Sequence, residues 1–536
     1  MMQYNLQLKG ILERARHTFP KKEIVSRDYS GIFRYNYGEM YKRVCKLANV
    51  LEKLGVQKGD RVGALAWNNH RHLELYFAVP CTGAILHTLN LRLFIDQLIY
   101  VINHAEDKVI FVDQDLLPLI EGIKDKLTAT KCFVIMGDSP EMPKTSLEQV
   151  YYYEQLLAEA GDSYDFPDLD EETKAAMCYT TATTGNPKGV MYTHRSIVLH
   201  SWASSMVDTL CVSESDTIMP IVPMFHVNAW GLPFTASWVG ARQVFPGARF
   251  DAQILCELLQ NEKVTITAGV PTIWMMVYAQ LTKEDYDLSS LKMIVNGGSA
   301  LPRNLLEAYY QKIGVLITHA YGMTETTPLV TCCKLKEYMA DWSMEDKINI
   351  MLKQGLVVSG LDARIIGDDG NDVPRDGKSM GELVLKGPWI TDGYYKEPER
   401  TKEVFTPDGW FKTNDIATID EEGYVQICDR AKDLIKSGGE WISSVDLENT
   451  IMSHPGVAEA AVIAMPHEKW DERPMAIVVL KPDFKDQVTA QDILDFLSAR
   501  VAKLWMPDVV NFIDEIPKTS VGKFNKKALR SQFTGV

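Results

Sequence analysis

The chain has 536 residues, 46% of them hydrophobic and 24% charged, so it can bury a large core, divides into more than one domain, and is neither a disordered tail nor a small cysteine-stapled module. Its 71 acidic against 56 basic residues leave a formal charge of -15, which argues against a nucleic-acid partner but leaves room for phosphates gripped in a local basic pocket. Nine cysteines without a CxxC spacing fit a reducing, cytoplasmic setting better than a disulfide or zinc scaffold.

The start, MMQYNLQLKGILERARHTFPKK, lacks the apolar region of a signal peptide. Residues 37–55, YGEMYKRVCKLANVLEKLG, predict a helix that stops at glycine. RVGALAW (61–67), KVIFVD (108–113) and KCFVIMG (131–137) predict strands. The longest apolar run, LYFAVPCTGAIL (75–86), falls short of the roughly 18 to 20 residues that cross a bilayer, so no transmembrane segment is expected. Further strands are expected in the lead into residues 176–180 and at VTITAG (264–269), KMIVNGG (292–298) and VLITHAYG (315–322). Helices fit between them, which predicts an α/β architecture. After about residue 355 short strands and turns predict a β-rich part. From Arg430 onward, GVAEAAVIAMP, PMAIVVLKP and the helical QDILDFLSARVAKL predict a separate α+β unit. The boundary is placed at 429–432, giving domains 1–429 and 430–536, the second small enough to move as a lid.

Four clusters carry chemistry. In TTATTGNPKGV (180–190), Thr180, Thr181, Thr183 and Thr184 supply hydroxyls, Gly185 and Gly189 relax the backbone, and Lys188 adds charge. Together they make a phosphate cradle, or alternatively a Thr-rich turn held by its own local bonds. In HAYGMTETTPL (319–329), Glu325 sits among threonines and can ligate Mg2+ or cap a helix. Tyr321 fits beside a planar base or in an ordinary core. In the third, Asp415 can accept from ribose hydroxyls and Arg430 can donate to ribose or phosphate, or each can form a surface ion pair; Gly438 and Gly439 mark a turn. In PKTSVGKFNKKALR (517–530), Lys523 can enter another domain's cleft to stabilise developing negative charge, or belong to a solvated basic stretch.

The ordered set YTTATTGNPKGV, PMFHVNAWG, YGMTET, WFKTND, DRAKDLIKSGGEWIS and PKTSVGK resembles the acyl-adenylate-forming superfamily, and within it the acyl-CoA synthetases, across essentially the full chain. The resemblance implies a large N-terminal domain with α/β layers that binds ATP and a carboxylic acid, and a mobile C-terminal domain. Such enzymes join the acid to AMP with loss of pyrophosphate, then rotate the small domain so that the thiol of coenzyme A attacks the acyl adenylate.

Carried onto this sequence, the resemblance implies that Thr181, Thr183, Thr184, Gly185 and Lys188 hold phosphates and that Glu325 is the Mg2+-associated acid. It places Tyr321, Gly322 and Thr324 beside the nucleotide, Asp415 and Arg430 at the ribose, Lys432 at the hinge and Lys523 at the adenylation step. His226 resembles the histidine lining the acyl pocket, with Asn228, Trp230 and Gly231 nearby and Gly297, Gly298, Ser299 and Ala300 as another wall. Gly439 and Trp441 are expected on the pantetheine path after rotation, and a homodimer is a family-like expectation. Two positions depart from the pattern: Ala182 and Asn414 stand where glycine is usual, and asparagine tolerates a left-handed turn better than alanine. HVNAWG, NGGSALP, GEWISSVDLEN and MPHEKWDERP look most like ligases of short or medium aliphatic acids. The favoured substrate is a medium-chain fatty acid; the alternatives are a short-chain, methylthio-substituted or aromatic acid, or a catalytically weakened acyl- or nucleotide-binding protein.

Overall fold

The structure is a computed structural model that describes residues 2–180, 186–438, 440–485, 487–518 and 524–534. The predicted helix at 37–55 forms over Tyr37–Lys53. Asn36 caps it reciprocally with Glu39: the Asn36 Oδ1 accepts from the Glu39 amide at 2.9 Å and the Glu39 Oε2 accepts from the Asn36 amide at 3.0 Å. Its Met40, Val44, Leu47 and Leu51 point into the core, and Gly55 ends the run at a φ of +75°, where a side chain is disfavoured.

The expected strands form and assemble into two large sheets. One runs Val150–Tyr152, Cys132–Met136, Asp107–Asp113, Arg61–Leu65, Ile85–Thr88, Lys174–Tyr179, Gly189–Thr193. All its pairings are parallel except the closing hairpin of Lys174–Tyr179 with Gly189–Thr193. The other centres on parallel strands Ile266–Gly269, Met293–Asn296 and Thr318–Gly322, with antiparallel Leu329–Cys332 continuing it. Helices cover these sheets, and the central strands are continuous apolar runs, as burial on both faces demands.

The β-rich part is an antiparallel sheet of Asp362–Ile366, Gly381–Lys386, Phe411–Ile419 and Val425–Arg430. The next strand, Ile435–Ser437, already belongs to a different sheet, with Glu440–Ile442, Val457–His467, Asp471–Leu480 and Val509–Phe512. Helices Ser444–Met452, Ala490–Ser498 and Lys526–Phe533 flank it, and Ile435, Leu447, Val462, Ile493 and Leu497 give it a core of its own. The helix expected across 491–504 stops at Ser498. Arg500 folds back to donate to the Phe496 carbonyl at 2.8 Å, satisfying a group the ended helix leaves open. Among the described residues no helix is long and apolar enough to cross a membrane.

Candidate active site

A cavity of about 530 Å³ opens at the carboxyl ends of three strands. Thr180 follows Lys174–Tyr179, Gly297 and Gly298 follow Met293–Asn296, and Tyr321 and Gly322 close Thr318–Gly322. Carboxyl ends of parallel strands are where open α/β sheets present ligand crevices. Residues from the C-terminal unit, Lys432, Asp433 and Phe524, complete the wall.

One end is polar. The hairpin holds Thr180 against Lys188: the Thr180 amide donates to the Lys188 carbonyl at 2.9 Å, and Gly189 lies where a Cβ would meet the Tyr179 ring at 3.1 Å. Lys188 Nζ donates to the Tyr394 hydroxyl at 2.9 Å, and that hydroxyl donates to Glu325 Oε1 at 2.8 Å. Glu325 is 6% exposed, and the ammonium also sits 4.0 Å from the Tyr394 ring centroid. Burial pulls the Lys188 ammonium below its ordinary range while Glu325 opposes that shift. Burial also pushes the Tyr394 hydroxyl up, and Glu325 adds to it, so Tyr394 serves as a neutral donor. Thr324 is fixed by its carbonyl, which accepts from Tyr192 at 2.8 Å, and Gly322 admits no side chain because a Cβ would meet the Pro328 carbonyl oxygen at 2.1 Å.

Asp415 is 2% exposed and does not line the cavity. Its Oδ1 pairs with Arg430 Nε at 2.8 Å, and its Oδ2 accepts from the Tyr321 hydroxyl. Tyr321 and Arg430, which hold it, do line the cavity. Asn414 lies at the rim with a φ of +58°, the left-handed geometry that asparagine tolerates.

The cavity also has an apolar lining: Leu210, Leu232, Val295, Leu329 and Trp230 contribute to it, and His226 lines the same cavity. His226 and Trp230 are presented by a left-handed turn in which Val227, Asn228, Ala229, Trp230 and Gly231 have φ from 48° to 74°. Each L-residue there costs roughly 1–2 kcal/mol, so surrounding packing must hold the turn. Trp230 lies over Gly297, whose added Cβ would meet the indole at 3.0 Å and the Ala320 carbonyl oxygen at 3.0 Å.

Several expected wall residues are placed elsewhere. Asn228 is turned into the core, its Oδ1 accepting from the Cys178 thiol at 3.6 Å. Gly231 backs onto His200, whose ring a Cβ would meet at 2.7 Å. Ser299 and Ala300 lie beyond the cavity lining, where the Ser299 carbonyl accepts from Asn296 Nδ2. Trp441, expected at the pantetheine only after rotation and not as a wall residue, sits on the strand Glu440–Ile442 opposite Lys436. Thr181, Thr183, Thr184, Gly185, Gly439 and Lys523, and the departure at Ala182, lie outside the described residues.

Tyr394 and Phe524 were not singled out from the sequence. The ITDGYYKEP segment offers no local sign that its first tyrosine lies against a residue 69 positions away. Glu325 lines the cavity beside the Tyr394 hydroxyl, and among the described residues no three His, Cys, Asp or Glu side chains converge on a common point. That donor set fits Mg2+ held by one carboxylate together with substrate phosphates, the usual arrangement for this ion.

Comparison with known proteins agrees with this geometry. The family model described as AMP-binding enzyme matches residues 12–395, and that for the AMP-binding enzyme C-terminal domain matches 446–523. A long-chain-fatty-acid–CoA ligase of Thermus thermophilus is 49% identical over 99% of this chain and 96% of its own. A medium-chain-fatty-acid–CoA ligase of Ectopseudomonas oleovorans is 42% identical over 99% and 97%, and a 3-methylmercaptopropionyl-CoA ligase of Ruegeria lacuscaerulensis is 42% identical over 99% and 98%. The crystal structure of an anthranilate CoA ligase in complex with anthranoyl-AMP superposes with a TM-score of 0.88 at 26% identity, covering 99% of this chain and 98% of that one.

Proposed function

This chain belongs to the AMP-binding enzyme family, and we propose that its particular task is to join a medium-chain aliphatic acid to coenzyme A. The coarser activity goes with the family: the protein is an AMP-forming acyl-CoA ligase that uses ATP and coenzyme A and passes through an acyl-AMP. One observation carries the finer reading. The cavity is polar where Lys188, Tyr394 and Glu325 meet and apolar where Leu210, Leu232, Val295 and Leu329 line it, which suits a carboxylate head beside phosphates and an aliphatic tail. Burying each methylene contributes roughly 0.8 kcal/mol.

In the first half-reaction a carboxylate oxygen attacks the α-phosphorus of ATP, and the bond to the bridging oxygen of pyrophosphate breaks. Lys188 is set to meet phosphate oxygens, Arg430 and Asp415 the ribose, and Tyr321 the base. Thr181, Thr183 and Thr184 with Gly185 are assigned to the phosphates, and Lys523 to the charge developing at the attacked phosphate. Glu325 would hold Mg2+, which when bound neutralises phosphate charge. In the second half-reaction the coenzyme A thiol loses its proton and attacks the acyl carbon, releasing AMP. We place the domain limit at 429/430 and the swivel at Lys432, so that Lys523 leaves and Gly439 and Trp441 approach the pantetheine. Alternating two faces over one held intermediate uses proximity for both steps and limits its hydrolysis.

The test is to incubate purified protein with ATP, Mg2+ and acids from acetate to dodecanoate, with aromatic and methylthio acids included, with and without coenzyme A. Mass spectrometry then follows AMP, acyl-AMP and acyl-CoA. A maximum among medium-chain acids is expected. A maximum at short, methylthio or aromatic acids refutes the substrate, and nucleotide binding without AMP formation from any acid refutes the ligase.

A further inference from the structure

Asp429 lies in the last strand of the four-stranded sheet, pairing in register with Ile416, yet its carboxylate is spent on the C-terminal unit. Its Oδ2 accepts from the Ser444 amide at 2.8 Å and from the Ser444 hydroxyl, and its Oδ1 accepts from the Arg430 amide at 2.8 Å. The Ser444 hydroxyl in turn accepts from Lys526 Nζ, which also pairs with Glu448 Oε1 at 2.7 Å. Asp429 is 2% exposed, Ser444 0% and Glu448 6%. Close by, Arg530 pairs with Asp433 at 2.7 Å, so the last helix, Lys526–Phe533, is fastened near both flanks of Lys432. That helix follows directly on Phe524, which lines the cavity and bridges to Lys518.

These contacts differ in what a swivel at Lys432 does to them. Lys526 with Glu448 and Arg530 with Asp433 both lie beyond the swivel and travel together. Asp429 lies before it, so its bonds to Ser444 must break. Lys526 then keeps Glu448 as its partner, and no buried ammonium is stranded. The relay from Lys526 through the Ser444 hydroxyl to Asp429 crosses the hinge and gives this arrangement a favourable contact that the rotated one lacks.

We propose that Asp429 is a positioning residue that latches the C-terminal unit, through Ser444 and Lys526, in the arrangement that places Phe524 at the cavity for the adenylation half-reaction. The proposal rests on the two-arrangement reading of the reaction given above. A ligand or contact shifts an equilibrium only by its difference between the two states, and here that difference is a set of hydrogen bonds to a charged carboxylate.

The experiment measures the half-reactions separately in the full-length protein. Acid-dependent pyrophosphate release reports the first, and acyl-CoA formed from supplied acyl-AMP reports the second. For Asp429→Asn the first is expected to fall by roughly tenfold, the scale of losing one hydrogen bond to a charged group, while the second stays unchanged or rises. Ser444→Ala, which keeps the amide donor but removes the hydroxyl link to Lys526, is expected to show the same asymmetry more weakly, with thermal melting confirming a folded protein for both. Lys432→Pro serves as the control, since proline fixes φ at the swivel. If that control separates the half-reactions while both latch variants leave their ratio unaltered, or lower both equally, the latch is overturned and the alternation stands. If Lys432→Pro fails to separate them, the alternation itself is overturned and the latch with it.

Discussion

Replacing Tyr394 by phenylalanine removes one oxygen from the centre of the polar end. That hydroxyl accepts from Lys188 Nζ at 2.9 Å and donates to Glu325 Oε1 at 2.8 Å, while the ring that lies 4.0 Å from the ammonium is retained. Losing a hydrogen bond to a charged group costs about 1.5–3 kcal/mol, and each 1.4 kcal/mol is tenfold. Both bonds stand in the free protein, so what the substitution takes from the reacting complex is the fixed placement of Lys188 and Glu325, on the scale of one such bond. One bond predicts a fall of about tenfold to a hundredfold in kcat/KM for ATP. The assay is acid-dependent pyrophosphate release across ATP and Mg2+ concentrations, with acyl-CoA formation from supplied acyl-AMP as internal reference. A steeper Mg2+ requirement is expected, because the carboxylate loses the donor that orients it. A folded Tyr394→Phe protein with kcat/KM for ATP within twofold of the parent, or with the reference step equally depressed, refutes the reasoning.

Gly297→Ala places a methyl 3.0 Å from the Trp230 indole and the Ala320 carbonyl oxygen; kcat/KM is expected to fall by more than about tenfold for octanoate and far less for propionate, and an equal loss for both refutes the placement of the acyl tail. Gly231→Ala combines a φ of +74° with a Cβ 2.7 Å from the His200 ring, and a loss of about 2–4 kcal/mol in unfolding free energy is expected from denaturant titration. Lys523→Ala is expected to damage adenylation much more than thioester formation from supplied acyl-AMP, and equal losses refute that role. Asp113 is buried, and burial raises its carboxyl to about 8 from 3.8, against the Trp67 amide and Arg71, which lower it. Because the folded value is the higher one, its contribution to stability is full below about pH 4 and is lost as pH rises through about 8. Melting temperatures across that window are therefore expected to decline less in Asp113→Asn than in the parent, and parallel profiles refute the assignment.

The sequence by itself determined the features that the chain's immediate neighbours dictate. Alternation of apolar runs with amphipathic stretches requires strands and helices in that order, and the change to short strands and turns after residue 355 marks a different layer. Lys188 and Glu325 were legible because each stands in a contiguous run of small, hydroxyl-bearing residues, and Asn414 because a left-handed position selects for asparagine or glycine. Tertiary structure alone decided which side chains meet. Tyr394 reaches Lys188 across 206 residues and Glu325 across 69, and nothing in its own segment encodes either partner. Asp415 reads as a ribose acceptor or a member of an ion pair, and only the folded chain shows that it pairs with Arg430 and accepts from Tyr321. HVNAWG reads as one continuous wall, whereas its left-handed backbone sends His226 and Trp230 to the cavity and Asn228 into the core. Asp429 reads as the start of a domain boundary, and only the folded chain brings its carboxylate to the Ser444 amide and hydroxyl, with Lys526 donating to that hydroxyl from the far end of the chain. Periodicity and turn chemistry act over a few residues and survive in the one-dimensional record; the choice of hydrogen-bond partner depends on distances that exist only after the sheets have closed on one another.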